Sequence, residues 1–290
     1  MATTDHPFAL LAEDVMRLDR IGPTSFRSEH RHDNSLGIIY GGQFMGQALL
    51  AASETVAGWP ANSFGCYFLR PGRFDAPIDY EVELVRDGRS FANRRVVARQ
   101  GDRALFDMVC SFHAPGEGYG HQGVDMAGLP QPDELPDLRD YLIANGDRIA
   151  REDVATYLGP VPVDFRLIDP DPTFHIGGTP APRRDFWMRF PPAARIADIA
   201  RHQPLLAFVS DFWIGPVVND LRGPPYYHRY PVQTTSHTMT FHRPARADDW
   251  LLYRTESPFS GEGIGFTRGL LFDRAGCLVA TTTQEVVMLG

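Results

Sequence analysis

Alternation of apolar and polar positions with a period of two marks several stretches of the chain. In residues 77–88, PIDYEVELVRDG, the residues Ile78, Tyr80, Val82 and Leu84 alternate with Asp79, Glu81 and Glu83. Residues 103–113, RALFDMVCSFH, do the same with Ala104, Phe106, Met108, Cys110 and Phe112. That period predicts strands with one face buried, and DG at 87–88 and QGD at 100–102 supply the turns of an antiparallel sheet. The pattern returns late in the chain in WLLYRTES, GFTRGLLF and CLVATTTQEVVM.

A different period precedes each block. GGQFMGQALLAASETV places Met45, Ala48, Leu49, Ala52 and Val56 on one helical face, and Gly41, Gly42 and Gly46 let its start approach other backbone closely. PLLAFVSDFW is a shorter counterpart, with Pro204 suited to a first turn.

The two blocks are related. At an offset of 173, Phe68 falls on Phe241, Arg70 on Arg243, Pro71 on Pro244, Asp75 on Asp248 and Tyr80 on Tyr253. Glu83 falls on Glu256, Gly88 on Gly261, Arg95 on Arg268 and Leu105 on Leu278, all without a gap. The coincidence of Arg, Asp and Glu with the apolar positions predicts an internal duplication: an α+β chain in which one helix wrapped by antiparallel sheet occurs twice. The expected divisions are 1–116, a connector at 117–182 and 183–290. The connector is rich in Pro, Gly and Asp and is expected to hold one or two short helices, such as LRDYLIANGDRIAREDV.

Composition narrows the chemistry. The chain of 290 residues is 43% hydrophobic, enough for a full core, and carries a net charge of −8, which disfavours general nucleic-acid binding. All 28 basic residues are arginine. The absence of lysine removes Walker-type phosphate loops and Schiff-base chemistry. Cys66, Cys110 and Cys277 are odd in number and far apart, so neither a disulfide framework nor a zinc site is expected. No stretch has the length of a membrane span, the first residues lack the basic-then-apolar pattern of a signal peptide, and VVMLG at the end is not SKL. The expected location is the cytoplasm.

Several motifs carry little. GYGHQG at 118–123 fits GxGxxG, but VDMAGLPQP after it cannot start a phosphate-cradling helix, and no GxSxG is present. His30 and His32 lack a third metal ligand, and His237 and His242 are expected to make structural hydrogen bonds. One residue stands out: Asp211 is the only group from Leu205 to Asn219 that can ionise. A carboxylate among Leu, Phe, Val and Trp must be exposed, protonated or held by partners.

GGQFMGQALLAA, YFLRPG, RDGRSFANRRVVARQ and SFHAP, followed by FVSDF, HTMTFHRP, DWLLY, GFTRG and LVATTTQEVVM, resemble the acyl-CoA thioesterase II family over nearly the whole chain. The resemblance implies a double hotdog, two tandem domains each with a helix wrapped by antiparallel sheet. It implies hydrolysis of fatty acyl-CoA to fatty acid and CoA, with no metal and no cofactor beyond the coenzyme A of the substrate. It also implies a homodimer or higher assembly. The family's acid, hydroxyl and glutamine fall on Asp211, Thr234 and Gln284.

Alternation in CLVATTTQEVVM puts Gln284 on the expected core face beside Leu278, Ala280, Val286 and Met288, where an amide needs partners. Thr234 precedes a strand expected from about Ser236 to His242, and Thr235 beside it would exchange roles with it under a one-residue slip. Helix-start amides near Gly42 and Gln43 are candidates for holding an oxyanion. Arg89, Arg94 and Arg95, with Arg86, form the densest arginine supply for CoA phosphates. Ser236 and Thr240 depart from the family pattern and are expected to bear on pocket shape and acyl preference. Two alternatives remain open on the sequence: a non-catalytic acyl-CoA binder, and an enoyl-CoA hydratase on the same fold.

Overall fold

A computed structural model describes residues 17–29, 38–151, 154, 158, 162–223 and 230–289. Its first half contains β1 (Asp19–Arg20), β2 (Ser25–Ser28), the helix α1 (Gly41–Ser53), β3 (Ala61–Phe68), β4 (Ile78–Asp87), β5 (Phe91–Gln100) and β6 (Arg103–His113). A short helix α2 (Leu138–Ala144) and β7 (Asp164–Leu167) lead to β8 (Arg183–Arg189) and the helix α3 (His202–Val209). The strands β9 (Val232–Phe241), β10 (Leu251–Gly261), β11 (Ile264–Phe272) and β12 (Leu278–Met288) complete the second half.

The strands form one 12-stranded sheet in the order β1-β2-β4-β5-β6-β3-β9-β12-β11-β10-β8-β7. The second six repeat the first six in reverse, as a twofold relation about the β3–β9 seam requires. At that seam the strands pair antiparallel from Ser63↔Thr240 to Tyr67↔Ser236. Helix α1 packs on β3, β4, β5 and β6 and against α3. It is buried from Gly42 to Ala52, because sheet and partner helix cover it on all sides rather than along one stripe.

The structure explains why polar residues coincide in the sequence repeat. Glu83 pairs in register with Arg95, and Glu256 with Arg268, so each copy carries the same cross-strand ion pair on its outer face. Arg70 and Arg243 each donate to a backbone carbonyl at the start of a neighbouring strand, Ala104 and Leu278. Tyr80 and Tyr253 are fully buried, and their hydroxyls donate to Gln47 Oε1 and to the Ser210 carbonyl.

The ungapped offset does not hold to the end. Val96 faces Met108, whereas its counterpart Gly269 faces Thr282, so the last strand follows an offset of 174. One extra residue in the β11–β12 turn produces the slip, and the Leu105–Leu278 identity is therefore not a structural equivalence. The connector also does more than link. Asp137 caps α2 by accepting from the Arg139 N–H, and β7 pairs with β8 at the far edge of the sheet. Four residues were too short a stretch for the alternation to reveal that strand.

Candidate active site

Ser210 and Asp211 follow directly on the last turn of α3, which points them at the start of α1. The Tyr40 hydroxyl donates to the Phe208 carbonyl at 3.1 Å, joining the two helix ends. A Cβ on Gly41 would lie 2.7 Å from Asp211 Oδ2, and one on Gly42 would lie 2.3 Å from the Phe208 carbonyl oxygen. The paired glycines are thus required by close approach. Beyond Asp211 the chain turns through Trp213, held at φ 64° while its ring stacks on Phe165 at 4.3 Å.

The Asp211 side chain is half-buried, but its Oδ1 is sealed from solvent and has no hydrogen-bond partner among the described residues. Burial pushes its pKa up to about 6, and the Gly42 N–H, Gln284 and Thr234 act against that rise by stabilising the charged form. The carboxylate is ionised at neutral pH yet far more basic than an exposed one. The helix start of α1, with its outward N–H groups, is a favourable place for that charge.

Thr234 reaches the site through a β-bulge. Ser236 pairs with Glu285 and Thr234 with Val286, which leaves Thr235 as the extra residue. Simple alternation from the buried His237 would turn residue 235 inward. The bulge shifts the phase so that Thr234 shares the inner face, while the Thr235 hydroxyl donates to the Glu285 side of the sheet. Gln284 Nε2 donates to Thr234 Oγ1 at 2.7 Å. Asp211, Thr234 and Gln284 therefore converge from the end of α3, from β9 and from β12, and the register ambiguity between Thr234 and Thr235 resolves in favour of Thr234.

A fourth residue belongs to this cluster. His237, fully buried, sits directly across from Gln284, with Nδ1 2.8 Å from Gln284 Oε1 and Nε2 3.2 Å from Ser210 Oγ. Burial lowers its pKa to about 4, so the ring is neutral. The expectation of structural hydrogen bonding was correct but incomplete, because the strand pairing that faces His237 with Gln284 was not legible in the alternation of either strand alone.

Among the described residues the first half has no such cluster at the equivalent positions. Under the structural equivalence Thr234 corresponds to Ala61, His237 to Phe64 and Gln284 to Cys110. The Ala61 backbone N–H and carbonyl are taken up by the Gln203 side chain, at 2.9 and 2.7 Å. The bulge itself is repeated, with Asn62 as the extra residue between Ala61↔Phe112 and Ser63↔Ser111. The backbone was duplicated and only one copy carries these polar groups.

Other expectations are corrected. Arg94 is 2% exposed, donating to Thr55 Oγ1 at 2.9 Å, to the Arg86 and Asn93 carbonyls and to Asp87 Oδ1 at 2.6 Å. It is a structural core arginine that a phosphate cannot reach. Arg95 is held on the outer face by Asp107 at 2.6 Å. Arg89 is exposed in the β4–β5 turn, with no ion pair among the described residues. The Gln43 N–H donates to the Tyr40 carbonyl at 3.1 Å, and the Gly42 N–H lowers the pKa of Asp211. Thr240 is exposed on the outer sheet face opposite Ser63 and Thr281, away from the inner cluster. Ser236 likewise alternates outward beside the exposed Tyr67.

His30 and His32 lie outside the described residues. GYGHQG is followed by irregular chain with a turn at 127–128, not a helix, and its Gln122 clamps the start of β12 by accepting from the Leu278 N–H at 2.7 Å. The three cysteines are free, and Cys66 and Cys110 are buried as small core residues. Among the described residues no cluster of His, Cys, Asp or Glu has the grouping of a metal site.

Comparison with known proteins adds a second line of argument. The family model of the acyl-CoA thioesterase N-terminal domain matches residues 30–113, and that of the C-terminal domain matches residues 130–288. The chain is 32% identical to acyl-coenzyme A thioesterase 8 of Mus musculus, over 97% of its own length and 89% of the relative's. It is 30% identical to acyl-CoA thioesterase 2 of Haemophilus influenzae, over 93% and 94% of the two chains. Among solved structures, the acyl-CoA thioesterase II TesB2 from Mycobacterium marinum superposes with a TM-score of 0.75 at 28% identity, covering 96% of this chain and 97% of that one.

Proposed function

The chain belongs to the acyl-CoA thioesterase II family, a double hotdog, and from that premise we propose that it hydrolyses acyl-CoA thioesters at the Asp211–Thr234–Gln284 cluster. The observation that carries this assignment is the convergence of the three groups on one half-buried carboxylate whose Oδ1 is left without a partner.

In this reading Asp211 is the general base. Water oriented by Gln284 and Thr234 attacks the thioester carbonyl as Asp211 takes its proton, a contribution of about 10²–10⁴ in rate. The tetrahedral oxyanion collapses with cleavage of the C–S bond, and the CoA thiolate leaves and is protonated. The products are a carboxylate and free CoA. A thiolate leaves readily, so no nucleophilic serine is needed. The steps are performed by side chains of the chain itself, and the reading calls for no metal or further cofactor.

Aromatic rings supply an apolar wall. Tyr40 packs against Phe212 at 4.8 Å and Phe208 at 5.2 Å, and Phe68, beside Gly41, packs on Phe106 at 5.1 Å. We assign that wall to the acyl chain. Of the three arginines expected at the CoA phosphates, the proposal keeps Arg89.

Assembly into a homodimer or higher oligomer is part of the same reading. Its support is the outer face of the central strands, where Tyr67 and Val109 are 65% and 52% exposed beside Thr238 and Thr240. A cytoplasmic location fits the three unpaired cysteines.

The test is an acyl-CoA panel from short to long chains, with the purified protein and Asp211→Asn side by side and thiol release followed with 4,4′-dithiodipyridine. Turnover by the wild type that falls at least a hundredfold in Asp211→Asn is expected. No release on any substrate, or an unchanged rate in the variant, overturns the assignment.

A further inference from the structure

A carboxamide is nearly symmetric in shape, so Gln284 fits its place with either end facing Asp211 and Thr234. Only one orientation is useful. With Nε2 toward the cluster, Gln284 donates to Thr234 and stabilises the carboxylate. With Oε1 toward it, a carbonyl dipole opposes the carboxylate and the Thr234 hydroxyl is left to donate to the amide. What selects the orientation is the group at the other end of the amide, and that group is His237, at 2.8 Å.

A neutral imidazole has one N–H and one bare nitrogen. If the proton is on Nδ1, it donates to Gln284 Oε1 and directs Nε2 into the cluster. Nε2 of the ring is then the bare nitrogen, 3.2 Å from Ser210 Oγ. The Ser210 hydroxyl donates its single proton to the Ala207 carbonyl at 2.8 Å, so Ser210 is not what fixes the proton on the ring. A proton on ring Nε2 would bare Nδ1 against Gln284 Oε1, and the amide would have to turn over. The amide orientation, with Oε1 at Nδ1 and Nε2 at Thr234, therefore calls for the proton on Nδ1, and the donors run from His237 through Gln284 to Thr234. The ring is fixed from the side by Phe64, with centroids 6.0 Å apart and planes 19° from parallel.

We propose that His237 is a positioning residue: in its Nδ1–H form it locks the Gln284 amide with its NH₂ toward Asp211 and Thr234. The proposal rests on the thioesterase reading for its consequence in turnover, while the tautomer it assigns can be observed without any substrate.

Three measurements test it together. Two-bond ¹H–¹⁵N correlation spectra of wild-type protein at pH 7 are expected to show the His237 proton on Nδ1; a proton on Nε2 overturns the proposal. His237→Leu, which keeps an apolar filling for the core, is expected to lower kcat on the order of 10- to 100-fold with KM within about twofold. It should add little to the loss already present in Gln284→Ala, because the histidine acts through the amide. Losses that multiply, or a KM effect without a kcat effect, overturn it. His237→Asn, whose amide N–H stands close to the place of Nδ1–H, is expected to recover most of the kcat lost in His237→Leu, and it remains informative if the leucine variant does not fold. Failure of the wild type to release thiol from any acyl-CoA sinks the functional reading and leaves the tautomer measurement to decide the positioning claim by itself.

Discussion

Replacing Asp211 by Asn should raise stability in a pH-dependent way while it removes activity. In the unfolded chain the carboxyl titrates near 3.8, and in the native state at about 6. The folded protein therefore holds that proton more tightly than the unfolded chain does. As pH rises from below 3.8 to above 6 the unfolded state ionises first, so the native state loses stability relative to it across that window and no further above it. The full loss is about 3 kcal/mol for a shift of roughly two units at 1.36 kcal/mol each. Between pH 4.5 and pH 8 about 2 kcal/mol of it falls within reach of urea denaturation. Asparagine cannot ionise, and other titrating groups such as Asp220, itself raised to about 6 by burial, contribute equally to both proteins and cancel in the difference. The stability of Asp211→Asn minus that of wild type is thus expected to grow by about 2 kcal/mol from pH 4.5 to 8. A constant difference would refute the raised pKa, and with it the account of Asp211 as a base made strong by desolvation.

Further outcomes follow from other contacts. Gly41→Ala places a methyl 2.7 Å from Asp211 Oδ2 and 3.1 Å from Phe68, and should lower kcat on the order of 100-fold by displacing the carboxylate; a near-normal rate would show that the approach is slack. Gln284→Glu replaces a donor facing Asp211 with a second carboxylate, so the acid limb of kcat/KM, expected near pH 6 in wild type, should move up by about one unit or more. A pH–rate profile reads this directly, and an unmoved limb would separate Gln284 from the base. Arg94→Met should cost about 1–3 kcal/mol in denaturant unfolding, because the carbonyls of Thr55, Arg86 and Asn93 lose a buried donor while the exposed Asp87 carboxylate returns to water, with KM for acyl-CoA unchanged. A large KM rise at normal stability would return Arg94 to the substrate.

Much of the architecture could be read from period-two alternation and the internal repeat, since both are local consequences of a sheet with one buried face. The seam between the halves is not local. Strands β3 and β9 pair across residues far apart in sequence, and neither strand's pattern names its neighbour. The same limit governed the arginines. A cluster in sequence is a cluster in space only if neighbouring side chains share a face, and on β5 Arg94 and Arg95 point to opposite sides of the sheet, one into the core and one outward.

The site itself was legible in its residue types and not in its geometry. Thr234 and His237 are three positions apart on one strand, so period-two alternation assigns them to opposite faces. They share a face because the bulge at Thr235 inserts a residue between them. That bulge exists equally in the first half at Asn62, where it presents Ala61 and Phe64 in place of a threonine and a histidine. The backbone irregularity is therefore independent of the chemistry: the fold supplies in both halves an inward-turned pair at the seam, and Thr, His and Gln where the other half has Ala, Phe and Cys make one of them a polar cluster. The proximity of Asp211 then depends on glycines at the start of α1, which come from the other half of the chain. A half separated from its partner would contain the threonine, histidine, glutamine and aspartate and still lack the Gly42 N–H that stabilises the carboxylate, so the packing of the two halves against each other is a condition for the base to be held.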